Sequence, residues 1–210
     1  MAYSVKEVFY TLQGEGHNSG RAAVFCRFSG CNLWNGLETG RAEAICTFCD
    51  TDFIGVDGAG GGKFSTAAAL ASHVASFWPS GSTVSPFVVC TGGEPLLQLD
   101  GELIEELHNL GFTIAVETNG TLLPPPGIDW ICVSPKHGTK LKAVTGNEIK
   151  VVFPQATSPV SYEHLHFEHF FIQAMDGANQ SENLRAAVKF CMDNPRWKLS
   201  LQTHKLLQIR

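Results

Sequence analysis

Short apolar runs rich in Val, Ile and Phe recur along the chain at 22–28, 86–90, 112–117, 129–133, 148–153, 168–174 and 197–203. Runs this brief, bounded by Gly, Pro or polar residues, predict buried strands. Three amphipathic stretches separate some of them. Ser65 is placed to cap a helix that runs to about Trp78, where Pro79 stops it. Asp100 is placed to cap a second, which buries Leu103, Ile104, Leu107 and Leu110 and ends at Gly111. Ser181 opens a third, closed before Pro195. This alternation predicts an α/β fold, a mostly parallel sheet covered by helices. A closed eight-fold barrel takes about 250 residues, so the expectation is an incomplete, open (β/α) barrel with about three crossover helices, one domain over 1–210. The glycine-rich segment 55–65 has no phosphate-loop lysine at the required spacing and reads as a flexible connector. PPPG at 124–127 reads as a rigid turn.

Polar clusters follow the strands: Arg27–Phe28–Ser29–Gly30–Cys31, Thr91–Gly92–Gly93–Glu94–Pro95, Glu117–Thr118–Asn119–Gly120, Ser134–Pro135–Lys136, Gln173–Ala174–Met175–Asp176 and Gln202–Thr203–His204–Lys205. Open sheets and barrels place their sites at carboxyl-terminal strand ends, so these clusters are expected to share one rim.

The chain has seven cysteines. Cys26, Cys90, Cys132 and Cys191 lie inside apolar runs and read as small buried hydrophobes. Cys31, Cys46 and Cys49 lie among Gly, Asn, Asp and Thr, where packing offers no reason for them. Iron–sulfur clusters are normally held by four thiolates; three from one loop leave an iron free to bind a small molecule. A structural zinc site completed by a histidine is the competing reading. His164, His166 and His169 show strand-like spacing for the first two but no partners that complete a metal site.

Composition narrows the classes. With 44% hydrophobic residues the chain supports one sizeable core, and a net charge of -5 without a basic run argues against a nucleic-acid surface. The odd cysteine count argues against a disulfide framework and for a reducing, cytoplasmic setting. The sequence carries no apolar stretch of about 20 residues and no signal-peptide pattern at MAYSVKEVFY, so no membrane partner is expected.

The three-cysteine loop, with Phe48 before its last cysteine and Gly92–Gly93–Glu94–Pro95 after the next strand, resembles the radical S-adenosylmethionine (SAM) superfamily. Its C-x14-C-x2-C spacing departs from that superfamily's C-x3-C-x2-C by an extension over residues 32–45. Together with FYTLQGEGHNSG, SPK and QAMDG, the chain resembles the 7-carboxy-7-deazaguanine synthases of the queuosine pathway, from Phe9 to about His204. The resemblance implies a 4Fe-4S cluster on Cys31, Cys46 and Cys49, SAM as cofactor, and Mg2+ at Thr51, for which a capping role is the alternative. It implies conversion of 6-carboxy-5,6,7,8-tetrahydropterin to 7-carboxy-7-deazaguanine with loss of ammonia, SAM being regenerated. It also implies a flavodoxin-like reductant and a homodimer.

The same resemblance distributes the residues. SAM is expected to meet Phe48, Cys49, Asp50, Gly93, Glu117, Ser134, Pro135, Lys136, Gln173, Ala174, Met175 and Asp176. The pterin is expected to meet Leu12, Gln13, Gly14, Glu15, Arg27, Thr91, His204 and the Arg210 main chain. Arg27 would fork onto the substrate carboxylate, with a structural ion pair as its alternative. Glu117 is as well explained by a structural role, and QGEG by a plain turn. No protein side chain is expected to carry the chemistry itself. Two other classes remain open: a radical-generating activase of a partner protein, and a non-catalytic zinc or electron-transfer module.

Overall fold

The computed structural model describes residues 2–210. One nine-stranded sheet is flanked by helices, with β1 (Tyr3–Leu12), β2 (Ala22–Phe28), β3 (Gly62–Phe64), α1 (Ala67–Ala75), β4 (Phe87–Gly92), α2 (Gly101–Asn109), β5 (Thr113–Thr118), β6 (Trp130–Val133), β7 (Thr145–Phe153), β8 (His166–Ala174), α3 (Gln180–Asp193), β9 (Lys198–Ser200) and α4 (Thr203–Leu207) in chain order. The sheet order is β3-β1-β2-β4-β5-β6-β7-β8-β9. From β2 to β9 the pairing is parallel, while β1 is antiparallel to both β2 and β3. Among the described residues no helix is long and apolar enough to cross a membrane.

The expected parallel core, open barrel and three crossover helices are present. Strand parity then divides the side chains. Val24, Cys26, Phe28, Val88, Cys90, Ile114 and Val116 face α1 and α2 and form the larger core with Leu70, Leu103 and Leu107. Ile149, Val151, Phe170 and Ile172 form a second core with Ala187 of α3 and Trp197. The opposite face carries a small apolar floor of Ala23, Phe87, Val89 and Ala115. Each of the large fully buried side chains contributes roughly 1.5–3 kcal/mol.

Several expectations change. The sheet begins earlier than residue 22, because β1 pairs along seven positions with β2. The segment 55–65 is not a free connector: Gly58 N donates to Lys6 O at 3.0 Å, and Gly62–Phe64 pairs with β1. Its glycines permit this approach, since a side chain on Gly58 or Gly61 would strike the Lys6 carbonyl. Thr66, not Ser65, caps α1 and accepts from Ala69 N, and that helix stops at Ala75. Asp100 caps α2 as expected, but Leu110 is exposed at the helix end. Ser181 lies inside α3, whose first residue is Gln180. The last run shortens to Lys198–Ser200, and α4 follows it. Cys191 is only half-buried, at the edge of the second core.

Trp197 is 2% exposed, meets Phe170 edge-on at 5.2 Å, and donates Nε1 to Glu163 Oε1 at 2.7 Å. Trp197→Ala should cost about 3–5 kcal/mol in urea unfolding. Met192→Ala, at a position 77% exposed, should stay within about 0.5 kcal/mol of the parent.

Candidate active site

A cavity of about 370 Å³ opens at the carboxyl ends of the parallel strands. Register and parity explain what lines it. Arg27 pairs with Thr91 across β2 and β4, one residue from the core-facing Phe28 and Cys90. Glu117 of β5, Ser134 after β6, Lys150 of β7 and Gln173 of β8 share the same concave side, so five of the expected strand ends converge; Lys150 was not expected there, and the sixth cluster reaches the cavity from α4 through Gln202, His204 and Lys205.

The expected SAM residues Phe48, Cys49, Asp50, Gly93, Ser134 and Lys136 border one part of this cavity, and Ala174, Met175 and Asp176 complete that wall. Pro135 does not: it is buried behind the loop, whose flanking Ser134 and Lys136 turn inward. Lys136 Nζ donates to Ser134 Oγ at 2.7 Å and lies 5.8 Å from the Phe48 ring centre. Burial lowers its pKa while the Cys46 and Cys49 thiols oppose that shift.

Cys46 and Cys49 sit at the mouth, with Cys31 behind them beside Gly93. A hydrogen bond from Cys46 holds the Cys49 thiol down at about 6 and pushes Cys46 up, whereas burial raises Cys31. Among the described residues no three His, Cys, Asp or Glu side chains gather as a single metal ion requires. Three soft thiols spread along one loop suit the separate iron corners of a cluster, so the donor set fits that group. Thr51 borders the cavity, but its neighbours are engaged: Asp50 with Lys205 at 2.7 Å and Asp52 with Lys6 at 2.9 Å.

The backbone behind the cysteines is close-packed. A side chain on Gly92, which has φ +133, would strike the Phe28 backbone, and one on Gly93 would strike the Gly30 carbonyl and Cys31. Bulk at Gly93 therefore disturbs the cysteine loop before it touches any ligand. Glu94 is fully buried and accepts from Thr118 Oγ1 (2.7 Å), Asn119 N (2.8 Å) and Leu96 N (3.0 Å). Burial raises its pKa and those donors oppose the rise. Glu94 thus joins the loops after β4 and β5.

The remaining wall is a polar floor. Leu12, Gln13, Gly14 and Glu15 border it from the turn after β1, and His204 and Arg210 from the C-terminal segment. Lys150 Nζ bridges Glu15 Oε2 at 2.7 Å and Glu117 Oε2 at 2.9 Å. Gln13 Nε2 donates to Glu117 Oε1 at 3.3 Å and Gln202 Nε2 to Glu15 Oε1 at 3.1 Å. Glu117, expected with SAM, is therefore grouped with the expected pterin residues. Burial pushes the Glu15 carboxyl up, but Lys150 and Gln202 more than reverse this and hold it at about 2. For Glu117 burial prevails over Lys150, and its pKa is raised.

Arg27 reaches the cavity with its Nε held by Glu7 Oε1 at 2.8 Å, an ion pair about four-fifths buried on both sides. The Arg210 carbonyl accepts from Thr11 Oγ1 at 2.8 Å, and its guanidinium lies over Phe9 at 5.3 Å. His204 sits on α4 rather than at a strand end. His164 and His166 are exposed, and His169 stacks on His17 at 4.1 Å, in an aromatic pile with Trp130.

Lys150 was not among the sequence candidates, and Glu94, Gln202 and Lys205 stood in the polar clusters without an assigned role. Lys150 had a signal, a lysine inside the apolar run EIKVVF, and Glu94 another, an acid within TGGEP. Gln202 and Lys205 were placed at a strand end, because α4 was not foreseen.

The fold and chain both have known counterparts. The crystal structure of QueE from Escherichia coli superposes with a TM-score of 0.66 over 96% of this chain and 94% of that one, at 24% identity, which establishes a shared fold. No protein-family model matches the chain. The 7-carboxy-7-deazaguanine synthase of Bordetella pertussis is 60% identical over 210 residues, the full length of both chains. That of Caulobacter vibrioides is 57% identical over 99% of each chain, and that of Bacteroides thetaiotaomicron 40% identical over the full length of both. With identity of this degree running from end to end, the chain belongs to the 7-carboxy-7-deazaguanine synthase family.

Proposed function

We propose that this protein is a radical SAM enzyme that converts 6-carboxy-5,6,7,8-tetrahydropterin to 7-carboxy-7-deazaguanine with loss of ammonia, a carbon–nitrogen lyase step in queuosine biosynthesis. The observation that carries the reading is that the Cys46–Cys49 turn and the polar floor of Gln13, Glu15, Arg27 and Glu117 face one cavity. Bound there, a 4Fe-4S cluster on Cys31, Cys46 and Cys49 with SAM would supply one-electron cleavage of a carbon–sulfur bond and hence a carbon radical. The reading includes Mg2+ near Thr51, a flavodoxin-like reductant, a homodimer and a cytoplasmic setting.

The residues of the chain divide the remaining work. Phe48, Asp50, Gly93, Ser134, Lys136 and Gln173 through Asp176 would hold SAM. Arg27 would take the substrate carboxylate, since Glu7 fixes its Nε and leaves the two Nη groups for a bidentate contact. Glu15, Glu117 and the Gln13 amide would accept from pterin N–H groups, with Leu12, Gly14, Thr91, His204 and the Arg210 main chain around them. Lys150 keeps Glu15 ionised and therefore an acceptor. The activase reading gains nothing from this floor, whose acids and amides are spaced for a small polar molecule.

The deciding experiment is an anaerobic assay of reconstituted protein with SAM, Mg2+, a low-potential reductant and the pterin, read by mass spectrometry. A product lighter by one ammonia is expected, with weaker turnover when Mg2+ is chelated. No product from protein with a full, reducible cluster would overturn the reading; 5'-deoxyadenosine alone would overturn the substrate. Arg27→Ala should raise KM for the pterin at least about tenfold, the loss of a charge-assisted contact worth roughly 1.5–3 kcal/mol, while SAM affinity stays unchanged by calorimetry. Glu15 has a pKa below its ordinary 4.5, so its ionised form favours the fold above about pH 4.5, and that contribution is lost as pH falls toward 2. Glu15→Gln should thus cost on the order of 2 kcal/mol near pH 7. The gap to the parent should narrow in urea melts taken from pH 5 down to pH 3 and vanish only as pH nears 2.

A further inference from the structure

We propose that Arg41 is a positioning residue for the iron–sulfur cluster, clamping the backbone of the Cys46–Cys49 turn from within the extension over residues 32–45. The inference rests on the reading of Cys31, Cys46 and Cys49 as cluster ligands. It assigns a task to the segment by which this chain departs from the shorter C-x3-C-x2-C spacing.

The extension carries a short 3-10 turn, Glu38–Glu43, that presents Arg41. Arg41 Nη1 donates to Thr47 O at 3.0 Å and to Cys49 O at 3.1 Å. Its other edge forks onto Glu38, Nε to Oε2 at 2.7 Å and Nη2 to Oε1 at 2.5 Å. The face of the guanidinium lies 4.0 Å from the Trp34 ring centre. Trp34 is in turn 7% exposed, meets Phe53 edge-on at 5.5 Å and donates Nε1 to Leu37 O at 3.2 Å. Ile45 N donates to Leu33 O at 3.1 Å, closing the extension at its base.

Arg41 thus has one edge on the carbonyls within the C-T-F-C turn, one edge on an acid of its own turn, and its plane on a buried indole. One carbonyl it holds is that of Cys49 itself and the other that of Thr47, the residue after Cys46, so fixing them restrains where both thiols point. Without this clamp the Cys46–Cys49 turn would have to be ordered by the cluster itself, at an entropic cost. Only a planar fork serves all three contacts; a lysine keeps the charge but cannot donate along two edges while stacking on Trp34.

The test compares the parent, Arg41→Lys and Glu38→Gln, each reconstituted anaerobically with iron and sulfide. The readouts are iron and sulfide content, the rate of iron release to a ferrous chelator, the electron paramagnetic resonance of the reduced cluster, and the melting of each apoprotein. Arg41→Lys should release iron about tenfold faster with a broadened resonance, while its apoprotein melts like the parent. Glu38→Gln, which keeps Arg41 but weakens its orientation, should fall between the two even if Arg41→Lys melts lower. Equal release rates and spectra in all three proteins would overturn the proposal while leaving the cluster reading intact. A parent that takes up neither iron nor sulfide would overturn that reading and the proposal with it.

Discussion

One buried ammonium organises the mouth of this protein. The Lys150 side chain is 4% exposed and bonded to two carboxylates, Glu15 from the turn after β1 and Glu117 from β5. Removing such charges from water costs several kcal/mol each, and only close pairing offsets it. The two acids must therefore stay where Lys150 is, and the ammonium sits on β7, a strand held on both sides by parallel neighbours. Gln13 and Gln202 satisfy further oxygens of the same acids. Four separate parts of the chain are thereby committed to one point.

The consequence is that an open sheet is closed without an eighth barrel strand. The turn after β1 crosses the open side and docks on the far edge: Gly16 N donates to Ser200 Oγ at 2.9 Å and Thr203 N to Gly14 O at 2.9 Å. His17 extends the closure as it stacks on His169 of β8 and on Trp130 of β6. At the opposite rim Lys205 of α4 pairs with Asp50 of the cysteine loop and Asp176 after β8. The first and last parts of the chain so enclose a cavity whose strand ends alone would leave it open. Enclosure matters to the proposed chemistry, because a carbon radical must meet its substrate before it meets anything else.

Much of this was legible in the sequence. Apolar runs located β2 and β4 through β8, as short strands buried on both sides are mostly apolar in their centres. The cysteine spacing and the polar strand ends named much of the cavity wall, and the family resemblance added Leu12 through Glu15 and Arg210, while Glu7, Phe9, Phe25, Asp52, Lys150 and Val152 went unnamed. The missed elements share a cause. β1 carries Lys6 and Glu7 within its span, and β3 is three residues with two of them small or charged, so neither shows an apolar run. α4 follows its strand too closely to be told from it by pattern.

What the sequence by itself determined was therefore the parallel core, its crossover helices and the identity of the loop that carries the thiols, since these follow from local patterns of burial and from residue types with narrow chemistry. The tertiary structure alone decided which polar groups meet. Lys150 chose Glu15 and Glu117 across separations of 135 and 33 residues, Glu94 welded two strand ends together, Arg27 was oriented by Glu7, and Pro135 was turned away from the cavity. Such pairings depend on register and on desolvation at a shared point in space. A linear pattern records which groups are charged, and only the packed sheet determines which charges are forced to share a place without water.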